Sequence, residues 1–222
     1  NSDITDANFS GANGVDHNYT FFHSHGCVCG SFEDDCIMER MVSIENFAVA
    51  AIGNSRYGWF NEGQTEGPAP HLHREMTDAQ HHDRIPFLGM HLSESKCMTA
   101  PFVNAPGQWE EGALRWHFYD LNVLGDVAVR PWLDEPFEAD IEYSAQLFIG
   151  AQSTEVVVKD DNGNPQKGFR CSFVYNDELI GFGITDENGE AEISFEGGLT
   201  AVGEMKLYVT GLNTFPQVLD VT

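Results

Sequence analysis

Basic residues are scarce in this chain. Eleven Lys and Arg stand against 35 Asp and Glu, a formal net charge of −24, which repels nucleic acid and anionic membranes and favours cationic peptides or ligands. An acidic surface suited to a saline or extracellular habitat accounts for the same charge without any partner. Long apolar runs are missing too: nothing approaches the roughly 18 consecutive apolar residues that mark a membrane span. No charged-then-apolar leader is visible, and the chain opens on Asn1. It is therefore expected to be a processed piece of a longer, secreted precursor. The five cysteines are odd in number, and Cys27 and Cys29 flank a single residue, so no disulfide framework can be read from them. What the chain does have is 41% hydrophobic and 12% aromatic residues, enough in 222 residues for one large or two small cores.

The most informative stretch is His23-Ser24-His25-Gly26-Cys27-Val28-Cys29-Gly30-Ser31-Phe32. The preceding Asn18 to Phe22 is aromatic and strand-prone, so Cys27 is expected at the carboxyl end of a strand, where open α/β sheets place ligands. Gly26 and Gly30 bracket it and are expected to let the backbone turn and approach a substrate closely. A thiol in such a place reads as a nucleophile. A free thiol is mostly protonated at neutral pH, so an imidazole must activate it, and backbone N–H groups at the Gly26–Cys27 turn can hold an oxyanion. The bland alternative for Cys27 is a buried, inert thiol; Cys29 reads as structural.

The same residues allow a second chemistry. His23, His25, Cys27 and Cys29, with Cys36 beyond, are enough soft ligands for zinc, and strand alternation puts the four on one face. Zinc ligands are more often spaced by two to four residues across a turn, which tells against it.

Along the chain, residues 1–135 alternate between strand-like and helix-like patterns. Ile37, Met38, Met41, Val42 and Ile44 follow Asp34 and Asp35 at helical spacing, and the wholly apolar Phe47 to Ile52 reads as a buried central strand. Strand, helix and strand in so short a span predict a βαβ unit and a parallel sheet. A Gly-, Asn- and Ser-rich loop over Gly53 to Pro70 leads to expected helices over Leu72–Asp83, Phe87–Met98 and Gln108–Tyr119. From residue 136 the texture becomes short alternating segments, at Glu155–Val158, Arg170–Val174, Ile180–Thr185, Ala191–Phe195 and Lys206–Thr210. That rhythm suits a β-sandwich over 136–222. Asp161-Asn162-Gly163-Asn164 and Asp186-Glu187-Asn188-Gly189 are expected to be hairpin turns.

Other chemistry-bearing residues have plainer readings. His71, His73, His81 and His82 lack the spacing of a zinc-peptidase helix and are expected on a solvated face. Trp109, Trp116 and Trp132 read as core or interdomain anchors. Glu62 and Glu66, following Trp59, could attract a basic side chain.

Gly26 to Phe32, the acidic helix start leading to Cys36, the apolar strand, Gly53 to Trp59 and Asn122-Val123-Leu124-Gly125-Asp126 together resemble the gingipain family of cysteine peptidases, relatives of the caspases. The resemblance implies an α/β caspase-like catalytic half, a parallel sheet ending near residue 135, and an immunoglobulin-like β-sandwich over 136–222. It makes Cys27 the catalytic nucleophile, puts Trp59 in the primary substrate pocket, and sets His25 and Gly26 on the same wall. The family's catalytic His belongs to a turn upstream of residue 1, so the implied partner is an upstream fragment of the same precursor; His23 or His25 as base is a weaker alternative. The implied activity is secreted, extracellular or cell-surface endopeptidase chemistry on peptide or protein substrates, preferring basic residues before the cut. No cofactor is required; calcium is a family habit. The rival from another class is a non-catalytic surface or adhesion fragment in which the sandwich does the binding.

Overall fold

The computed structural model describes residues 20–44, 47–105, 111–200 and 203–222, and the chain divides into two compact units, 1–131 and 132–222. Asn18, Tyr19, Gln108 and Trp109 lie outside the described residues.

In the first unit, β1 (Thr20–His23) is joined through α1 (Ile37–Ser43) to β2 (Ala48–Asn54), and the two strands pair in parallel with His23 opposite Ile52. This is the expected βαβ unit. The third strand, β3 (Leu121–Gly125), pairs with β2 antiparallel, Ala50 opposite Gly125 and Asn54 opposite Leu121, so the sheet is mixed rather than wholly parallel. β3 lies on the far side of β2 from β1, and an antiparallel strand at the edge of an otherwise parallel sheet is common in α/β folds.

β2 holds the unit together because it is covered on both faces. Its alternating residues send Ala50 and Ile52 into one cluster with Leu72, Met76, Leu88, Leu114 and Leu121, and Ala51 into another with Cys36, Met38 and Leu124. Each fully buried Leu or Ile is worth about 1.5–3 kcal/mol over an exposed one. α1 is capped by a box at Cys36, whose N–H donates to Glu39 Oε2 at 2.9 Å. α2 (Pro68–His81) starts on a proline, which forfeits no helical hydrogen bond there. α3 (Leu88–Thr99) and α4 (Ala113–Asp120) follow.

The second unit is all β. Strands β4 (Asp140–Tyr143), β5 (Ser153–Lys159) and β8 (Glu190–Ser194) form one antiparallel sheet; β10 (Gln217–Val221), β9 (Met205–Thr210), β6 (Arg170–Tyr175) and β7 (Glu178–Ile184) form another in that order. Val156 and Val158, Ala191 and Ile193, Cys171 and Phe173, Leu207 and Val209 alternate inward from the two sheets into one cluster. The expected hairpin turns are tight: the Asp160 and Asp186 carboxylates each accept backbone N–H groups two and four residues on. The first closes a short antiparallel bridge, Lys159 opposite Pro165, but the strands that the two turns join do not pair with each other. β5 leads to β6 and β7 to β8, which belong to different sheets, because the inward alternation of each strand is satisfied by crossing the core.

Candidate active site

The Cys27 turn begins where β1 ends. The Ser24 N–H still donates to the Ile52 carbonyl at 2.9 Å, and Ser24 Oγ accepts the Gly26 N–H at 3.1 Å. From there the extension of β2 secures the turn. Asn54 Nδ2 donates to the Gly26 carbonyl at 3.0 Å, the Val28 N–H donates to the Arg56 carbonyl, and the Gly30 N–H donates to the Asn54 carbonyl at 3.0 Å. Asn54 is fully buried. Arg56 is itself tied to Glu33 by a two-pronged ion pair of 2.6 and 2.8 Å.

The backbone freedom expected of Gly26 and Gly30 is used elsewhere. Neither takes a positive φ; the left-handed residue of the turn is Val28, at φ 60°. A β-branched side chain there is strained by about 1–3 kcal/mol, and the Arg56 carbonyl is what holds it. The glycines serve close packing instead: a β-carbon on Gly30 would meet Leu124 Cδ1 at 3.2 Å, and one on Gly26 would meet Cys29 Sγ at 2.6 Å.

Cys27 is exposed, its Sγ 3.8 Å from the Gly58 carbonyl. It stands on the edge of a cavity of about 400 Å³ lined also by Tyr57, Gly58, Trp59, Phe60, Asn61, Pro68 and Ala113. The walls are mainly apolar and aromatic, with Asn61 as a polar member and no charged residue. Trp59 is thus in the same pocket as the thiol. A second cavity of about 420 Å³ shares Tyr57 and Trp59 as a dividing wall and adds Trp116, Tyr119, Arg56 and Asp120.

His25 and Gly26 are not brought into the lining. His25 stacks on His73, ring centres 4.0 Å apart at 24°, and His73 in turn lies 5.7 Å from His23 and 6.2 Å from His117. The expected solvated histidine face on α2 therefore holds for His81 and His82 but not for His73, which is 5% exposed. Burial first, then the neighbouring imidazoles, lowers the pKa of His23 to about 4 and that of His73 to about 3, and burial lowers that of His25. Within this layer of rings His23 and His73 are neutral at physiological pH. The ring nitrogens of His73 and His117 are buried, and His117 Nδ1 faces Asp120 Oδ1 at 3.3 Å. Sequence reading missed the layer, although the signal was present: His73 shares its helical stripe with Ala69, Leu72, Met76 and Gln80, and His117 follows Ala113 and Leu114 by four and three.

The zinc arrangement is not found: among the described residues no group of three His, Cys, Asp or Glu side chains is placed to hold a metal ion. The strand alternation that it needed ends at His23, and the turn sends Cys27 outward while Cys29 packs beside Met38 and Cys36. Glu66 pairs with Arg74, so its charge is already matched, and Glu62 is not in either cavity. Trp116 is 57% exposed and walls the second cavity rather than anchoring a core. Trp132 packs edge-on to Phe215 at 5.2 Å within the second unit.

Residues 2–132 match the pattern of peptidase family C25. The chain belongs to this family. Among solved structures, the crystal structure of the Arg-specific cysteine proteinase gingipain R is 19% identical, aligning over 92% of this chain and 45% of its own with a TM-score of 0.68. The complex of Porphyromonas gingivalis RgpB pro- and mature domains gives 16%, 92%, 46% and 0.67, and a structure described only as a protease gives 17%, 91%, 46% and 0.64. At such identities the likeness is one of fold, and this C25 chain spans about 45% of the gingipain R chain. No curated protein sequence matches it.

Proposed function

We propose that this chain is the carboxyl-terminal part of the catalytic domain of a secreted C25 cysteine endopeptidase, followed by an immunoglobulin-like domain, with Cys27 as its nucleophile. The observation that carries the reading is the exposed Cys27 thiol at the edge of an aromatic-walled pocket shared with Trp59, on a turn clamped by β2. Among the described residues no helix is long and apolar enough to cross a membrane. The strand order β10-β9-β6-β7 facing β4-β5-β8 supports the immunoglobulin-like description of the second unit, since seven strands split this way match a Greek-key sandwich.

In this reading the Cys27 thiolate attacks the scissile carbonyl carbon while an imidazole holds the thiol's proton. The carbonyl oxygen becomes an oxyanion facing backbone N–H donors, the C–N bond breaks, and the imidazolium protonates the leaving amine. Water, deprotonated by the same imidazole, then releases the acyl group and restores the thiol. His23 and His73 are poor candidates for the base, being buried and of low basicity, and His25 is engaged in its stack with His73. An upstream segment of the same precursor is the proposed source of the imidazole. The acidic charge of −24 supports a preference for basic residues near the cut.

The rival reading, a surface or adhesion fragment, has one observation in its favour: Val218, Tyr208 and Phe182 form an exposed row across the four-stranded sheet, and exposed apolar patches mark interaction surfaces. Hydrolysis of a panel of fluorogenic peptides by the whole precursor-derived protein separates the two. Cleavage abolished by Cys27→Ala and retained in Cys29→Ala is expected, with Arg and Lys peptides cut fastest. Cleavage that survives Cys27→Ala overturns the assignment, and no cleavage of any peptide favours the adhesion fragment.

A further inference from the structure

Resting on the peptidase reading, we propose that Asn54 is a positioning residue for the oxyanion: it holds the Gly26–Cys27 peptide plane so that the Cys27 N–H is presented to the carbonyl oxygen of the substrate.

The argument starts from the accounting of backbone groups in the turn. The N–H groups of Ser24, Gly26, Val28 and Gly30 are all used, in order by the Ile52 carbonyl, Ser24 Oγ, the Arg56 carbonyl and the Asn54 carbonyl. The Cys27 N–H makes no hydrogen bond among the described residues. Its orientation is nevertheless fixed. Among the described residues there is no cis peptide, so the Cys27 N–H points opposite to the Gly26 carbonyl across a planar unit, and that carbonyl is pinned inward by Asn54 Nδ2 at 3.0 Å. With the carbonyl aimed into the buried end of β2, the N–H is aimed away from it, on the side of the exposed thiol.

Asn54 suits the task. It is the last residue of β2, it is 0% exposed, and it is also held through its own carbonyl by the Gly30 N–H. The amide's orientation is settled by its partner, because the opposite flip would set two acceptors face to face. Gly58 closes the other side: a β-carbon there would stand 2.8 Å from Asn54 Nδ2, leaving the amide little room to turn. Oδ1 has no partner among the described residues, so the side chain's hydrogen bond there is the one to the turn. Preorganisation of this kind matters because a donor that need not reorient contributes more to an oxyanion than one that must.

The test uses the whole enzyme with Asn54→Leu, which removes the donor at similar size, and Asn54→Asp, whose carboxyl can donate to the same carbonyl only when protonated. Three quantities are read: kcat and KM for a good peptide, the inhibition constant of the matching peptide aldehyde, whose thiohemiacetal carries the oxyanion, and the iodoacetamide alkylation rate of Cys27, which needs the thiolate but no oxyanion donor. For Asn54→Leu the expected result is a kcat lower by about 10²-fold, the loss typical of one oxyanion donor, a similar weakening of the aldehyde, little change in KM, and alkylation within about twofold of wild type. For Asn54→Asp the activity relative to wild type should climb as the pH is lowered. Unchanged aldehyde affinity in Asn54→Leu, or in Asn54→Asp at a pH where its carboxyl is ionised, overturns the proposal, as does an alkylation rate that falls in step with kcat, which would mean the turn has simply come apart. A wild-type enzyme that neither cleaves peptides nor binds the aldehyde overturns the peptidase reading itself, a different outcome from an active enzyme indifferent to Asn54.

Discussion

Gly58 lies so close to His25 that a β-carbon on it would stand 1.9 Å from the His25 carbonyl oxygen. The obstacle is backbone, so it cannot swing aside. Gly58→Ala should lower the melting temperature by several degrees and cut kcat/KM by at least about 10²-fold, since either the pocket wall or the Cys27 turn must move. Gly26→Ala is the informative contrast. Its added methyl meets chiefly Cys29 Sγ, a side-chain tip that can rotate, and the loss should be clearly smaller. Equal losses in both, measured by peptide kinetics and thermal melts, would show that the close approach at Gly58 has no special weight.

The left-handed Val28 gives a second test. Glycine adopts φ near 60° freely, so Val28→Gly removes strain of about 1–3 kcal/mol at a smaller entropic cost to the folded state. The variant should melt at a higher temperature and turn over more slowly, because a relaxed turn holds Cys27 less firmly. A lower melting temperature would mean that the valine contributes packing that outweighs its strain.

The βαβ unit was legible because β2 is apolar throughout and α1 keeps helical spacing, and both signals are local. The helices over Leu72–Asp83 and Phe87–Met98 were placed within a few residues of α2 and α3 for the same reason. β4 and β10 were not read at all: Asp140–Tyr143 has two acids in four residues, and Gln217–Val221 carries Gln217 and Asp220 among five, so both take their strand character from neighbours rather than from composition. The thiol and Trp59 were legible by their local setting. Asn54 was not, because nothing in Gly53-Asn54-Ser55 distinguishes a clamp on a distant turn from an ordinary loop residue, and the stack of His25 on His73 needed two elements to be brought together.

The two cavities divided by Tyr57 and Trp59 should matter for binding more than for turnover. Trp116→Ala and Tyr57→Ala each remove an exposed ring that a bound peptide would cover, and KM should rise by roughly tenfold with kcat nearly unchanged, the pattern of lost uniform binding. A fall in kcat alone would place these rings in the chemistry instead.

The imidazole layer sets a pH dependence whose sign is fixed. In the unfolded chain His23 and His73 titrate near 6.5; in the fold they do so at about 4 and about 3. Between those values the unfolded state binds more protons, so stability is full above pH 6.5 and is lost as the pH falls toward 3, at about 1.4 kcal/mol for each unit of depression. Replacing the buried ring, as in His73→Leu, should flatten the fall of the melting temperature between pH 6.5 and 4. An unchanged slope would show that other groups govern acid unfolding.

Residues 132–222 have a core of their own, built on Phe173, Ile193 and Leu207. This fragment alone should give a β-type circular dichroism spectrum and a single cooperative melt. In it Cys171, whose pKa burial pushes up to about 11, should resist iodoacetamide until the fragment unfolds. A disordered product would show that the sandwich depends on the preceding unit.

The bond from Asn54 to Gly26 joins residues 28 apart in sequence, and the approach of Cys27 to Gly58 joins residues 31 apart. Closing a loop of that length costs chain entropy before its contacts return anything. The thiol's surroundings therefore cannot form as the ribbon leaves the ribosome; they wait for the α1 crossover to bring β2 alongside β1. A polypeptide halted short of that step carries a cysteine but no assembled turn around it, so the setting of the thiol depends on the pairing of β1 with β2.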